Sequence, residues 1–291
     1  MAKVSVIIPV YNGELYVAKT IESVFAQSFV DHEVIVVDDG STDRTAEIVH
    51  QFGSRLKYLC QSNAGQASAR NFGYQQSSGE YLAFLDADDL WYPEMLQVSV
   101  SILEEDLNVG LTYSDLDLID THGAVIQRDY LKTRSQRKTP KESFIGSHSI
   151  PFPSASVKRR SVFTAAGCFD TSFYQGGEDV LLWAKMYRLS KFAWIPQTLA
   201  QRRIHAQQVS HARQRRFEAD LLVYQKLWEF LASDPAQQSN LLPSIARVWS
   251  REGQRLAKEN KIAEARRCFG LSRRYDPLYW RNYLRLARSY F

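Results

Sequence analysis

The chain has only three cysteines in 291 residues, Cys60, Cys168 and Cys268, an odd number set far apart. That spacing excludes a disulfide framework and a cysteine-built zinc site, and it fits a reducing cytosol. Long apolar runs are missing too: Val4–Val10 and Val34–Val37 are far too short to cross a bilayer. Met1-Ala2-Lys3 leads directly into strand-like sequence without a secretory hydrophobic region, so a cytoplasmic protein is expected. No Gly-x-Gly-x-x-Gly follows the first strand, which argues against a dinucleotide-dependent dehydrogenase. What is present, 45% hydrophobic and 23% charged residues, is ordinary for a globular chain and excludes disorder as the main state.

The first hundred residues alternate strand and helix signals. Val4–Val10 is an apolar, β-branched run with Pro9 and the turn pair Asn12-Gly13 at its end. Leu15–Gln27 has helical apolar spacing at Leu15, Ala18, Ile21, Val24 and Phe25. Val34–Val37, Leu56–Leu59, Tyr81–Leu85 and Val109–Tyr113 read as further strands. Between them lie a helix capped by Thr42 or Asp43 and a helix over Ala67–Gln76. Such alternation predicts an α/β fold, a doubly wound, mostly parallel sheet flanked by helices. Residues 115–175 are less regular, with Phe152-Pro153-Ser154 turning into a strand at Ala155–Lys158. Residues 178–189 look helical and Phe192–Ile195 strand-like. From about Arg213 the pattern is helical to the end, broken at Ser233-Asp234-Pro235 and Tyr275-Asp276-Pro277. We therefore expect a catalytic domain over 1–212, with halves of about 1–115 and 116–212, and a helical extension over 213–291.

Ligands on such sheets bind beyond the carboxyl ends of the strands, where strand order reverses. Polar residues stand at those ends: Asn12, Asp38-Asp39, Asn63 and Asp86-Ala87-Asp88-Asp89. Three carboxylates within four residues repel unless a cation or donor neutralises them. Hard divalent cations take oxygen ligands and share them with substrate phosphates. The competing account makes Asp89 the cap of a helix starting near Trp91 or Pro93. Asp39 could accept from a nucleobase N–H or a ribose hydroxyl, or merely form a turn. Arg70, one turn into a helix, can reach a phosphate or the acidic run, or lie on the surface. Glu178-Asp179 could be catalytic acids, or acids placed at a helix N-terminus by the helix dipole.

The ordered set of these segments is more specific than any of them. Pro9-Val10-Tyr11-Asn12, Val37-Asp38-Asp39-Gly40-Ser41-Thr42-Asp43, Asn63-Ala64-Gly65, Ala69-Arg70-Asn71 and Leu85-Asp86-Ala87-Asp88-Asp89 resemble the family 2 glycosyltransferases, which have the GT-A fold. The likeness continues in Ala166-Gly167-Cys168-Phe169-Asp170, in Gly176–Trp183, and in Arg203-Ile204-His205 with Gln208 and Ser210, covering about the first 210 residues. It implies an inverting transfer of sugar from a nucleotide-diphosphate sugar donor to a glycan or lipid-linked acceptor, with Mn²⁺ or Mg²⁺ as cofactor. Pro9, Val10, Tyr11, Asn12 and Asp39 would line the nucleoside pocket, Asp39 against the base. Asp86, with Ala87 beside it, would meet the ribose, and Arg70 the acidic run or diphosphate. Asp88 would hold the metal with His205 near it, and Asp179 of the Glu178-Asp179 pair would be the base.

Departures from the family refine this. Gln201-Arg202-Arg203-Ile204-His205 lacks the Trp of the Gln-x-x-Arg-Trp motif of processive members, so one transfer per acceptor is expected. Ala184-Lys185 stands where many relatives have an Arg. Two rivals remain: a sugar nucleotidyltransferase, which would want a glycine-rich basic loop where Tyr11-Asn12-Gly13-Glu14 stands, and an inert scaffold that binds a partner through its tail. The tail resembles one tetratricopeptide helix pair, near 246–279, at Trp249, Gly253, Leu256, Ala265, Phe269 and Pro277. One copy cannot build a solenoid, so this pair should pack on the catalytic domain, a protein partner or another copy. Basic residues dominate from Arg247 onward and from Arg128 to Lys141. Peripheral contact with an anionic membrane is therefore expected of the tail, and nucleic acid is not.

Overall fold

The computed structural model describes residues 2–135, 151–173, 176–205, 213–279, 281 and 284–285. They fall into two compact units, residues 2–205 and residues 213–285. In the first unit, strands β1 (Val4–Val10), β2 (His32–Asp38), β3 (Lys57–Cys60), β4 (Tyr81–Phe84), β5 (Leu90–Trp91), β6 (Val109–Ile119), β7 (Val125–Gln127), β8 (Ser156–Arg159) and β9 (Lys191–Arg203) form one sheet. Helices α1 (Val17–Phe25), α2 (Thr45–His50), α3 (Gln66–Gln75), α4 (Met95–Glu105), α5 (Tyr130–Ser135), α6 (Arg160–Ala165) and α7 (Glu178–Leu189) accompany it.

The strand order is β3-β2-β1-β4-β8-β6-β9-β5, with β7 beside β6. β3, β2, β1 and β4 are parallel, as the alternation predicts; β8 joins antiparallel to both β4 and β6. β1 is buried at all seven positions, so its continuous β-branched run suits a strand covered on both faces. The order reverses at β1, and the ladders on its two sides end at different heights. Pairing with β4 stops at Ile7–Phe84, while pairing with β2 runs on to Val10–Asp38. The crevice opened between β1 and β4 is where the acidic run emerges. α3 lies close over this end: a Cβ on Gly73 would stand 2.5 Å from Ile7 Cγ2, nearer than any side chain allows.

β6 and β9 extend well past the expected Val109–Tyr113 and Phe192–Ile195. Asp115 and Asp117 weakened the strand signal, since Asp is depleted in strands. Both are buried, and Asp115 is neutralised by the backbone N–H groups of Leu116, Leu131 and Lys132. In β9, Pro196 looks like a stop. The parallel β6–β9 pairing instead steps from Ser114–Ile195 to Asp115–Thr198, so Pro196 and Gln197 bulge out of the ladder.

The second unit holds α8 (Arg213–Phe230), α9 (Pro235–Ser239), α10 (Leu242–Lys258) and α11 (Ile262–Tyr275). Asp234 caps α9 by accepting from Gln237 N–H, with Pro235 in the first turn. α10 and α11 pack through Leu256, Ala265, Cys268 and Phe269, with Trp249 against them. Gly253 admits the Phe269 ring, which a Cβ would meet at 2.7 Å.

Candidate active site

The loops after β1 and β2 are tied together. Asn12 adopts a left-handed φ of 51°, and its amide oxygen accepts Thr42 N–H while its own N–H donates to Ser41 Oγ at 2.9 Å. Gly13 N–H donates to Thr45 Oγ1 and Glu14 N–H to Asp43. Pro9 and Val10 are buried, so only their backbone could meet a ligand, and Val10 C=O already accepts Asp39 N–H. Tyr11, by contrast, is exposed. Asp38 is structural, accepting from Ser41 N–H and the Tyr58 hydroxyl. Asp39 is buried and accepts from Gln61 Nε2, Ala64 N–H and Gly65 N–H. A carboxylate has about four acceptor sites, which leaves about one for a further donor.

The acidic run separates into three functions. Asp86 Oδ1 accepts from Arg70 Nη2 at 2.6 Å and from Gln66 Nε2 at 2.8 Å. Asp88 Oδ2 lies 2.8 Å from His205 Nε2. Asp89 does not cap a helix: β5 follows it, and the next helix begins at Met95 behind Glu94. Instead Asp89 is buried and accepts Arg203 N–H at 3.0 Å, docking the loop on β9. Burial, with Asp88 and Asp86 beside it, pushes its carboxyl well above the usual range. Thr20 Oγ1 donates to the carbonyls of Ala87 and Asp89, both at 2.9 Å, and holds the turn from the α1 side.

Arg70 joins the two halves of the first unit. It is 1% exposed, yet it bonds Asp86 on the β4 loop and Glu178 at the start of α7, the latter at 2.5 Å. Asn71, its neighbour, exchanges two hydrogen bonds with the backbone of Phe169, whose ring lies 5.2 Å from the Arg70 guanidinium. This explains why Ala69-Arg70-Asn71 and the Ala166–Asp170 segment occur together. Arg70 Nε and Glu178 Oε2 are buried with no hydrogen-bond partner among the described residues. Replacing Arg70 with Met should strand the Glu178 charge and cost about 3–5 kcal/mol in urea unfolding; a loss below about 1 kcal/mol would mean the pair holds nothing together.

Glu178 and Asp179 divide their labour. Glu178 is turned into the protein toward Arg70. Asp179 is only partly buried and accepts from Val180 N–H. Burial first, then the Glu178 charge, raises its pKa to about 7 against the opposing pull of Arg70. A carboxylate so poised can take a proton near neutral pH.

Two residues of this region escaped sequence reasoning as site components. Arg203 is 1% exposed; its side chain donates to the carbonyls of Asp88 and Asp120, and its guanidinium lies 4.6 Å from the Tyr16 ring. Tyr16 in turn faces His205, with ring centroids 5.2 Å apart. Lys158 is fully buried between the Phe84 and Trp183 rings, and burial, then Arg70, pushes its pKa well down. Only the position of Arg203 two residues before His205 hinted at its part. Gln208 and Ser210 lie outside the described residues, as does much of the basic stretch from Arg128 to Lys141.

Asp88 supplies a carboxylate, a donor that suits Mn²⁺ or Mg²⁺ once phosphate oxygens and water complete the shell, whereas the His205 imidazole beside it suits a transition metal better than Mg²⁺. His205 Nδ1 is buried with no hydrogen-bond partner among the described residues, and Nε2 is the ring nitrogen directed at Asp88. Among the described residues no three His, Cys, Asp or Glu side chains are grouped so that they could hold a metal ion by themselves.

Comparison with known proteins bears on this arrangement. The model of a family described as glycosyl transferase family 2 matches residues 5–163. An uncharacterised glycosyltransferase of Rickettsia prowazekii is 32% identical over 230 residues, covering 77% of this chain and 70% of that protein. Among solved structures, Staphylococcus aureus TarS 1-349 in complex with UDP-GlcNAc superposes with a TM-score of 0.62 at 20% identity, covering 99% of this chain and 89% of that one. The mannosyltransferase PcManGT of Pyrobaculum calidifontis, in complex with GDP-Man and Mn²⁺, gives 0.64 at 21% identity, covering 92% and 74%. These structures share the fold, and the sequence matches carry the family. With its strand-end carboxylates gathered around the β1–β4 crevice, the chain belongs to glycosyl transferase family 2 and is a glycosyltransferase of GT-A-like fold.

Proposed function

We propose that this glycosyltransferase moves a sugar from a nucleotide-diphosphate sugar to a hydroxyl of a glycan or lipid-linked acceptor, on the cytoplasmic side, inverting the anomeric centre and making one transfer per encounter. The observation that carries this reading is the Arg70 bridge. It sets Asp86, at the donor end of the sheet, and Asp179, at the head of α7, in one cluster of charges.

Asp179 removes the acceptor proton, and Glu178 keeps its pKa high while Arg70 limits the rise. Asp86 receives the ribose and Asp39 the base, each with acceptor capacity left beyond its protein bonds. Backbone at Pro9–Asn12 walls the nucleoside side, and Ala87 sets the turn between ribose and metal. Asp88, with His205 beside it, would hold a divalent cation, whose charge would supply electrostatic stabilisation to a departing diphosphate. Arg203 and Tyr16 keep Asp88 and His205 at their stations.

A thermal-shift screen of nucleotide sugars with Mn²⁺ tests the reading, beginning with UDP-GlcNAc and GDP-mannose, which the TarS and PcManGT structures contain. At least one donor should stabilise the protein by binding the native state, and should do so less without metal. Failure of every nucleotide sugar would overturn it.

A further inference from the structure

The outer face of α11 takes no part in the chemistry above. Ala265, Cys268, Phe269 and Ser272 are buried on one side of this helix. The opposite side, at steps of three and four residues, presents Ala263, Arg267, Gly270 and Arg274. Arg267 and Arg274 are exposed, and a Cβ on Gly270 would meet nothing within 4 Å. Arg266 and Arg273 flank the stripe, so the helix holds four arginines against one acid, Glu264.

Two arginines elsewhere in this unit have acidic partners: Arg251 pairs with Asp220, and Arg255 with Glu252 and Glu259. Arg267 and Arg274 make no ion pair among the described residues. Tyr275, the last residue of the helix, is 36% exposed, and Leu278 just beyond it is 90% exposed. A single exposed Leu is unremarkable, but here it extends a basic stripe that also ends in an exposed aromatic ring.

We propose that the outer face of α11, with Arg267 and Arg274 at its centre and Leu278 at its end, docks on an anionic phospholipid bilayer. Arginine guanidinium groups match lipid phosphates, and Leu278 and Tyr275 suit the boundary between headgroups and acyl chains. A nucleic acid would engage the arginines equally, but its phosphate backbone offers nothing to Leu278. The docking is independent of the sugar chemistry and would bring the enzyme to a surface where lipid-linked acceptors reside.

Flotation of the full chain with vesicles tests it. Vesicles of phosphatidylcholine with added phosphatidylglycerol should carry the protein, phosphatidylcholine alone should not, and salt should release it. The R267Q/R274Q double variant should bind about thirtyfold more weakly while melting at the same temperature. Leu278→Ser should weaken binding but keep the salt dependence. Asp179→Asn should float like the parent, which separates this inference from the catalytic one. Equal capture by neutral vesicles, or an unchanged R267Q/R274Q variant, would overturn the proposal. So would binding to duplex DNA that these two arginines control while vesicles remain bare.

Discussion

Asp179→Asn should lower kcat by about a hundred- to ten-thousandfold while leaving nucleotide-sugar affinity nearly unchanged. The side chain keeps its shape and its place at the head of α7 but can no longer accept a proton from the acceptor hydroxyl. The proposed donor residue Asp86 lies on the other side of the Arg70 bridge and has no reason to change. Near-normal turnover would remove Asp179 from the role of base. The parent's pH profile gives a second readout. As the proposed base Asp179 would work only when ionised, and burial and Glu178 raise its pKa to about 7, so kcat should climb as pH rises through 7 and level off above it. Weakening the Glu178 charge with Glu178→Gln should move that limb to lower pH, because a repelling neighbour is lost.

Stability should move the other way. Between the ordinary value of 3.8 and about 7, the folded protein holds a proton that the unfolded chain has released. Folding is therefore progressively weakened as pH rises across that window, and the full cost is present above 7. Asn carries no such cost. The variant should melt no lower than the parent at pH 8, and its advantage should disappear toward pH 4. A catalytic carboxylate held against its solvation is a familiar exchange of stability for function.

Asp88→Ala should abolish the part of donor affinity that Mn²⁺ supplies. In calorimetric titrations the parent should bind its donor more tightly with Mn²⁺ than without, and the variant should show one affinity under both conditions. Loss of the proposed ligand carboxylate would leave His205 without the neighbour 2.8 Å away and a cation with one protein donor fewer. Asp86→Ala, by contrast, should weaken donor binding with or without metal, because that carboxylate is engaged by Arg70 and Gln66. If Asp88→Ala retains full metal stimulation, the cation is held elsewhere.

Much of this was legible before any coordinates. The parallel strands carry continuous apolar runs, and their ends carry carboxylates, some of which the fold itself uses, as it does Asp38 and Asp89. Order along the chain then separated the family from its rivals, because each short motif is ambiguous but their succession is not. Where reading by local pattern fell short, the cause was a contact distant in sequence. Asp115 and Asp117 looked wrong for a strand because their neutralising partners lie elsewhere, at Leu131, Lys132, Tyr92 and Asp129. Asp89 looked like a helix cap, since Asp before an apolar run usually is one, and nothing nearby announced Arg203.

The sequence alone thus determined the strand–helix alternation, the family, and the acidic segments that should meet a donor. These depend on residue type, local periodicity and order, all of which are properties of the chain itself. Only the tertiary structure decided how Asp86, Asp88 and Asp89 divide. One faces Arg70, one faces His205, and one is spent on the backbone of β9. It also decided that Glu178 turns inward and Asp179 is left to titrate near neutrality. Identical carboxylates differ only in what surrounds them: Arg70 reaches Asp86 from the preceding helix, while His205 and Arg203 reach Asp88 and Asp89 from more than a hundred residues away.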